Sequence, residues 1–305
     1  MNEPQAFFDG RWIPARDAAV SIGDVGFVLG ATVAEQLRTF GGQLFRLESH
    51  LARLEQSLRI VQIDPGMTMD RFAEVGRELV RRNHRLLDPG DDLGLSIFVT
   101  PGPYAAFSPS PTEKPTVCLH TYPLPFRSWA EKYERGESLV VSDVRQVSPH
   151  SWPPELKCRS RMHYYLADRR AAAAEPGARA LLLDEEGLVT ETSTANVLVF
   201  DSREGLISPP SERILRGISL SVVWELAQRL GIPTGWHNLT PEDVASAEEV
   251  LLVSTPFCLL PVTRFNGRPI GDGKPGRAFR RLLAAWSESV GVDLAGQARR
   301  FADRV

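Results

Sequence analysis

Apolar residues recur along this chain in two rhythms, and the switch between them marks out the elements. Alternation over residues 5–14, interrupted by Asp9-Gly10, predicts a hairpin closed by a two-residue turn. A second hairpin is predicted over 36–45, around Gly41-Gly42. Leu51, Leu54, Leu58 and Val61 fall at helical spacing, which predicts an amphipathic helix beginning near Ser49. Residues 69–86 predict another helix, with Arg and Glu on its wet face. Strands predicted at 93–100 and 116–121 complete an N-terminal α+β unit.

Residues 121–136 carry Pro123 and Pro125 and then a charged stretch, a composition suited to a crossing between domains. Beyond it a strand is predicted at 138–144. A loop broken by Pro149, Pro153 and Pro154 then delivers Lys157 to the N-terminal edge of a helix over 160–174. Strands at 180–184, 188–190 and 196–200 surround the turn Asp184-Glu185-Glu186-Gly187. A helix over 218–230 stops at Gly231 and Pro233. A buried strand at 250–254, a further hairpin at 264–270 and a terminal amphipathic helix at 276–290 follow. No internal repeat or low-complexity segment is visible. The reading is two α+β domains, a smaller one at 1–121 and a larger one at 137–305. Residues 122–136 form the linker, and a site is expected between the domains.

Composition narrows the class without naming the chemistry. The chain has 305 residues, 43% hydrophobic and 24% charged, the balance of a soluble globular protein with room for two cores. A net charge of −3 gives no overall pull toward nucleic acid or an anionic membrane. The basic cluster Lys157, Arg159, Arg161, Arg169 and Arg170 reads as a solvated helix face. Cys118, Cys158 and Cys258 are too few and odd in number for a disulfide framework, which fits a reducing compartment. The start Met1-Asn2-Glu3-Pro4 lacks the basic and apolar regions of a signal peptide, and no apolar stretch is long enough to span a membrane. A cytoplasmic protein is expected.

The candidate chemistry is carried by four separated pieces. Lys157 lies where the dipole of the predicted helix disfavours a protonated amine. Glu191 follows a predicted strand within Thr190-Glu191-Thr192-Ser193-Thr194-Ala195-Asn196. Leu215-Arg216-Gly217-Ile218-Ser219 opens a helix, where the first N–H groups point at any anion present. Ser254 and Thr255 close an apolar run, and Arg53 could add a compensating positive charge. Each piece also has an ordinary reading. Taken alone, Lys157 reads better as a surface lysine and Glu191 as a turn or capping residue, while 215–219 serves equally as a plain helix entry. Arg53 serves as a surface arginine in relay with Ser49 or Ser57. Together, in this order, they are what a pyridoxal 5′-phosphate enzyme needs: a Schiff-base lysine, a carboxylate for the pyridinium nitrogen and N–H groups for the phosphate. No His/Cys/Asp cluster has metal-ligand spacing.

With these stretches in view, the chain resembles the fold-type IV, class IV aminotransferases, which include branched-chain and D-amino acid aminotransferases and 4-amino-4-deoxychorismate lyases. The resemblance runs from Phe8-Asp9-Gly10 to Gly267. It is carried by Gly187-Leu188-Val189-Thr190-Glu191, Asn196-Val197, Leu215 to Ser219, Pro261-Val262-Thr263-Arg264 and Arg46 to Leu54. It implies a two-domain α+β subunit, a homodimer whose partner lends residues to each site, and pyridoxal 5′-phosphate bound between the domains. It also implies Lys157 as the Schiff-base lysine and Glu191 as the partner of the ring nitrogen. Arg53, Ile218, Ser219 and Thr255 would be the phosphate ligands and Leu215 would pack on the ring. Gly217, allowing close backbone approach, and Ser254, beside Thr255, join them as cofactor-binding candidates read from the residues.

The departures fall on the substrate side. Branched-chain enzymes carry a tyrosine five residues after the lysine; here that position is Met162, with Tyr164 and Tyr165 beyond it. Where their Thr-Ala amides bind the substrate carboxylate, this chain has Thr255-Pro256, and proline has no N–H. Ala34 replaces a frequent aromatic and implies a wider pocket. Arg159, Arg161 and His163 are candidates for the missing anion contact, and Ala34, Arg159, Arg161 and Tyr164 are the substrate candidates. Transamination between an amino acid and a 2-oxo acid, branched-chain-like, is the leading expectation. β,α-Elimination of aminodeoxychorismate to 4-aminobenzoate and pyruvate is the alternative, and a cofactor-binding protein without turnover is a third reading. A serine hydrolase using Ser151 or Ser254 with His150 lacks a Gly-x-Ser-x-Gly elbow. The donor, its enantiomer and the acceptor are not encoded in these motifs.

Overall fold

The structure is a computed structural model that describes residues 3–107 and 114–304. The chain divides into two compact α+β units, Met1–Leu124 with Leu156–Ser160, and Pro125–Glu155 with Arg161–Val305.

In the first unit, β1 (Gln5–Phe8) and β2 (Arg11–Pro14) form the expected hairpin. Asp9 at φ 46° and Gly10 at φ 83° occupy the left-handed region that such a turn demands. A single turn, α1 (Val25–Val28), precedes β3 (Val33–Phe40), which reverses at Gly41-Gly42 into β4 (Gln43–Leu44). Then follow α2 (Leu47–Val61), α3 (Met69–His84), β5 (Leu93–Thr100) and β6 (Thr116–Pro123). The six strands pair antiparallel in the order β2-β1-β6-β5-β3-β4.

Alternate residues of this sheet, Val33, Leu37, Leu95, Ile97, Val99 and Leu119, share a core with Leu51, Leu54 and Leu58 of α2 and Phe72, Val75 and Leu79 of α3. The helical rhythm read from α2 is right for its three leucines and wrong for Val61, which is exposed in the last turn. His50 and Ser57, both polar, are buried in its place.

Residues 156–160 were expected in the larger domain but pack with the first unit. Ala34 N–H donates to the Lys157 carbonyl at 3.0 Å, Arg159 N–H donates to Thr32 O at 2.8 Å, and Cys158 bridges Val33. Leu156 packs against the core. These bonds lay a borrowed segment antiparallel beside the start of β3, a long-range pairing invisible to local pattern.

In the second unit, the stretch read as a linker is folded. Phe126, Trp129, Ala130 and Tyr133 are buried, and Tyr133 lies on α4 (Lys132–Arg135). Then come β7 (Glu137–Val141), α5 (Met162–Ala174), β8 (Arg179–Leu183), β9 (Val189–Thr192), β10 (Asn196–Asp201) and β11 (Gly205–Ser208). After them lie α6 (Ile218–Arg229), β12 (Thr234–Trp236), α7 (Pro241–Ser246), β13 (Glu249–Ser254), β14 (Cys258–Phe265), β15 (Arg268–Pro269), α8 (Arg277–Val290) and α9 (Leu294–Arg300).

The strand path is β12-β11-β10-β13-β14-β7-β8-β9, with β15 beside β14. The path closes because β9 also meets β10 at Glu191 and Asn196. Central strands are buried on both faces, which is why they read as continuous apolar runs. Short α7, with a Thr240–Asp243 capping box, and short β11 and β12 carry too few residues to show a period, and so escape the sequence pattern. Among the described residues no helix is long and apolar enough to cross a membrane.

Candidate active site

The predicted site residues fall into two groups, one in each unit. The first is built on α2 and β3. Lys157 lies in an extended segment, five residues before α5 starts at Met162, so it does not sit at a helix N-terminus as expected. Its backbone N–H donates to Ser57 Oγ at 3.2 Å and its carbonyl accepts from Ala34. One turn before Ser57 on α2 is Arg53, which is largely buried and not the surface arginine of the alternative reading. Its Nε and Nη2 donate to Glu35 at 2.7 and 2.9 Å.

Glu35 is fully buried and also accepts from His50 Nδ1 at 2.8 Å. Burial alone would raise the Glu35 carboxyl, but the charge and hydrogen bonds of Arg53, with those of His50, outweigh it and hold the group well below the usual carboxylate range. Burial pushes His50 down, and the charges of Arg53 and Lys157 add to that. Glu35 stands between Val33 and Leu37 on the apolar side of β3, and a charge at that position was the sequence signal for this network.

Arg159 Nη2 donates to Ser96 Oγ at 2.9 Å in the same unit, and Ala34 is buried. Only Arg169 and Arg170 of the basic cluster lie on the exposed helix face expected for it.

The second group centres on Glu191, which lies inside β9 rather than after a strand. Its Oε1 accepts from Tyr164 Oη at 2.7 Å and from Gln146 Nε2 at 2.9 Å. Gln146 Nε2 also donates to Tyr164 Oη at 2.9 Å. Its Oε2 accepts longer bonds, both 3.4 Å, from Asn196 Nδ2 and Leu215 N–H. Burial raises the carboxyl to about 7 against these donors and the charge of Arg161. The hydroxyl of Tyr164, expected at the substrate, donates to Glu191.

Asn196 also donates to Leu215 O at 2.9 Å and so ties the carboxylate to the start of α6. A Cβ on Gly217 would lie 2.0 Å from Asn196 Oδ1, so the close approach requires glycine. Gly217 is the N-cap of α6, and no side chain caps the helix. The N–H groups of its first turn are therefore oriented and unsatisfied by any cap, with the Ser219 hydroxyl buried beside them. Ser254 Oγ donates to Thr194 O at 2.5 Å, and Thr255 opens the turn from β13 to β14. Arg161 donates to Ser193 O and lies over the Tyr164 ring, 4.7 Å from its centroid. Burial and Arg161 hold His163 down to about 4, so its ring is neutral near pH 7 and offers no charge to a carboxylate.

Residues 32–265 match the family described as Amino-transferase class IV. The chain belongs to that family. It is a pyridoxal 5′-phosphate-dependent aminotransferase, moving an amino group with the help of a Schiff-base lysine. The aminotransferase is 29% identical to the D-alanine aminotransferase of Bacillus licheniformis over 94% of this chain and 97% of that one. Its fold matches the branched-chain amino acid aminotransferase of Escherichia coli with a TM-score of 0.86 at 22% identity, covering 97% and 96% of the two chains. The branched-chain amino acid aminotransferase of Thermobaculum terrenum in its PLP form matches with a TM-score of 0.82 at 23% identity, covering 99% and 98%.

The residues of the second unit fit the cofactor's chemistry. A buried carboxylate with neutral donors suits a cationic ring N–H, and an uncapped helix start suits a phosphate. The partners that hold Arg53 and Glu191, namely Glu35, His50, Gln146 and Asn196, were not assigned these roles from sequence. Gln146, in an irregular loop, carries no local signal at all.

Proposed function

We propose that Lys157 is the lysine on which this aminotransferase carries its cofactor, with Glu191 as the partner of the ring nitrogen. The observation that carries the reading is Glu191, buried and hydrogen-bonded by neutral donors alone. A protonated ring nitrogen would supply a strong donor and a compensating charge at once. Lys157 is supported by scarcity. The sequence has four lysines; Lys114 and Lys274 are exposed, and Lys132 is ion-paired with Glu137. In this reading the first-turn N–H groups of α6, Ser219 and Thr255 hold the phosphate, and Arg53, fixed by Glu35, adds positive charge. Ser254 shapes the adjoining turn, and Leu215 packs on the ring.

When bound, pyridoxal 5′-phosphate supplies an electron sink for charge developing at the substrate α-carbon. Lys157 Nζ would take the proton from that carbon and deliver it to the carbon that carried the cofactor's aldehyde, and Glu191 would hold the ring N–H. The substrates are an amino acid and a 2-oxo acid, with Arg159 and Arg161 the candidates for carboxylate recognition and Ala34 for pocket width. The likeness to D-alanine aminotransferases makes D-alanine the first donor to test, with branched-chain amino acids as the comparison.

A homodimer is part of the proposal, supported by the exposed apolar side chains Ile22, Phe27, Leu29 and Phe107 of the first unit. So is a cytoplasmic location, supported by the low cysteine count. The test is the visible spectrum of purified protein saturated with pyridoxal 5′-phosphate, followed by titration with single amino acids. A lysine-bound band that D-alanine bleaches, absent from Lys157→Ala, is expected. An unchanged band in Lys157→Ala would overturn the assignment, and pyruvate released from aminodeoxychorismate without any acceptor would replace transfer by elimination.

A further inference from the structure

The two oxygens of Glu191 are held unequally. Oε1 receives two short bonds, 2.7 Å from Tyr164 Oη and 2.9 Å from Gln146 Nε2, and these two donors are themselves joined at 2.9 Å. The three groups form a closed triangle of hydrogen bonds. Oε2 receives only two contacts of 3.4 Å, from Asn196 and the Leu215 amide. A carboxylate has about four acceptor positions, so Oε2 retains capacity for a short, strong bond where Oε1 has little.

The Tyr164 ring is fixed in turn. The His163 ring lies 3.9 Å from it, and the Arg161 guanidinium lies 4.7 Å from its centroid while donating to Ser193 O. Ser193 is two residues from Glu191, so the brace and the strand it serves are tied at both ends.

We propose, building on the role assigned above to Glu191, that Tyr164 and Gln146 are positioning residues that anchor Oε1 and leave Oε2 as the working oxygen for the ring N–H. The phenol suits this task because burial and the neighbouring Glu191 hold its pKa well above 10, so it remains a donor across the working range. The charged and titratable groups acting on the triangle are Arg161, Glu191, Tyr164 itself and His163, whose ring lies against the phenol and is held down to about 4; Asn196 and the Leu215 amide complete it as neutral donors. Neither Tyr164 nor Gln146 needs to touch substrate for this effect, which separates the proposal from a substrate-binding tyrosine.

A double-mutant cycle on the holoenzyme decides it, using Tyr164→Phe and Glu191→Gln singly and together. The readouts are the single-turnover rate with the best amino donor and the pH titration of the visible band. With Glu191 present, Tyr164→Phe is expected to slow the single turnover about 10- to 100-fold, shift the band titration and leave the donor KM within about twofold. In the Glu191→Gln background the same change should alter the rate less than about twofold, because the residue acted through the carboxylate. Gln146→Ala should reproduce the direction of the Tyr164→Phe effect. Equal losses in both backgrounds, or a raised KM with an unshifted titration, would overturn the brace. A wild-type protein that takes up no cofactor would overturn the role of Glu191 as well, so the two failures are distinct.

Discussion

Replacing Glu191 by Gln should make the cofactor-free protein more resistant to unfolding at pH 8 than the wild type, although it removes a residue from the centre of the site. Glu191 is buried, and burial lifts its carboxyl from the ordinary 4.5 to about 7. The sign follows from proton counting. Below 4.5 the group is protonated in both states and contributes nothing. Between 4.5 and 7 the unfolded chain has released its proton while the folded chain still holds it, so stability falls as pH rises. Above 7 the loss is complete and constant.

At about 1.4 kcal/mol per pH unit, the interval from 4.5 to about 7 is worth about 3 kcal/mol. Urea unfolding of the apo forms at half-unit steps from pH 4.5 to 8.5 measures it, and the wild-type-minus-variant difference cancels every other titrating group. The Gln amide would face Asn196 Nδ2 and the Leu215 N–H, both donors, at the positions of the 3.4 Å contacts, which adds a constant offset but no slope. Parallel curves for the two proteins would refute the reasoning, because they would mean that Glu191 titrates normally and needs no cationic partner. With saturating cofactor the wild type should recover the loss and the variant should gain less.

Arg53→Ala should destabilise the protein by about 3–5 kcal/mol, since it leaves the fully buried Glu35 without its cationic partner, held by His50 and the Gln36 N–H. The lowered Glu35 carboxyl contributes stability above 4.5 that is lost as pH falls through its folded value, so the deficit measured by urea unfolding should shrink in acid. Gly217→Ala should cost about 1–3 kcal/mol and weaken cofactor binding, because its Cβ displaces the Asn196 side chain that holds Leu215 O. Fluorescence titration with pyridoxal 5′-phosphate measures the binding. Arg159→Ala should raise the KM of the carboxylate substrate while leaving the band of the bound cofactor unchanged. Unaltered kinetics would remove Arg159, now seen on Ser96, from substrate recognition.

The legible part of the site was the part with sequence punctuation. Gly217 before an apolar helix, and Glu191 ahead of the Thr-Ser-Thr run, announce themselves through spacing and composition, and the hairpin turns at Asp9-Gly10 and Gly41-Gly42 did the same for the fold. Tyr164 was read as a substrate candidate, and its hydrogen bond to Glu191 was not foreseen. Its position on α5 is local information, whereas its hydrogen bond to Glu191 joins residues 27 apart in sequence. Lys157 shows the same limit from the other side. Its residue type was the clue, but its conformation came from pairing with β3, more than a hundred residues away, and not from the helix that follows it.

The sequence by itself determined the class of chemistry and most of the elements. Backbone preference, apolar period and the lysine–carboxylate–helix-start order are properties of neighbours along the chain. Tertiary structure alone decided which oxygen of Glu191 is anchored and which partners hold Arg53. It also decided that residues 156–160 pack with the first unit. Those outcomes depend on burial and on donors brought from distant strands and loops, where excluding water turns an ordinary carboxylate into one that has to be matched.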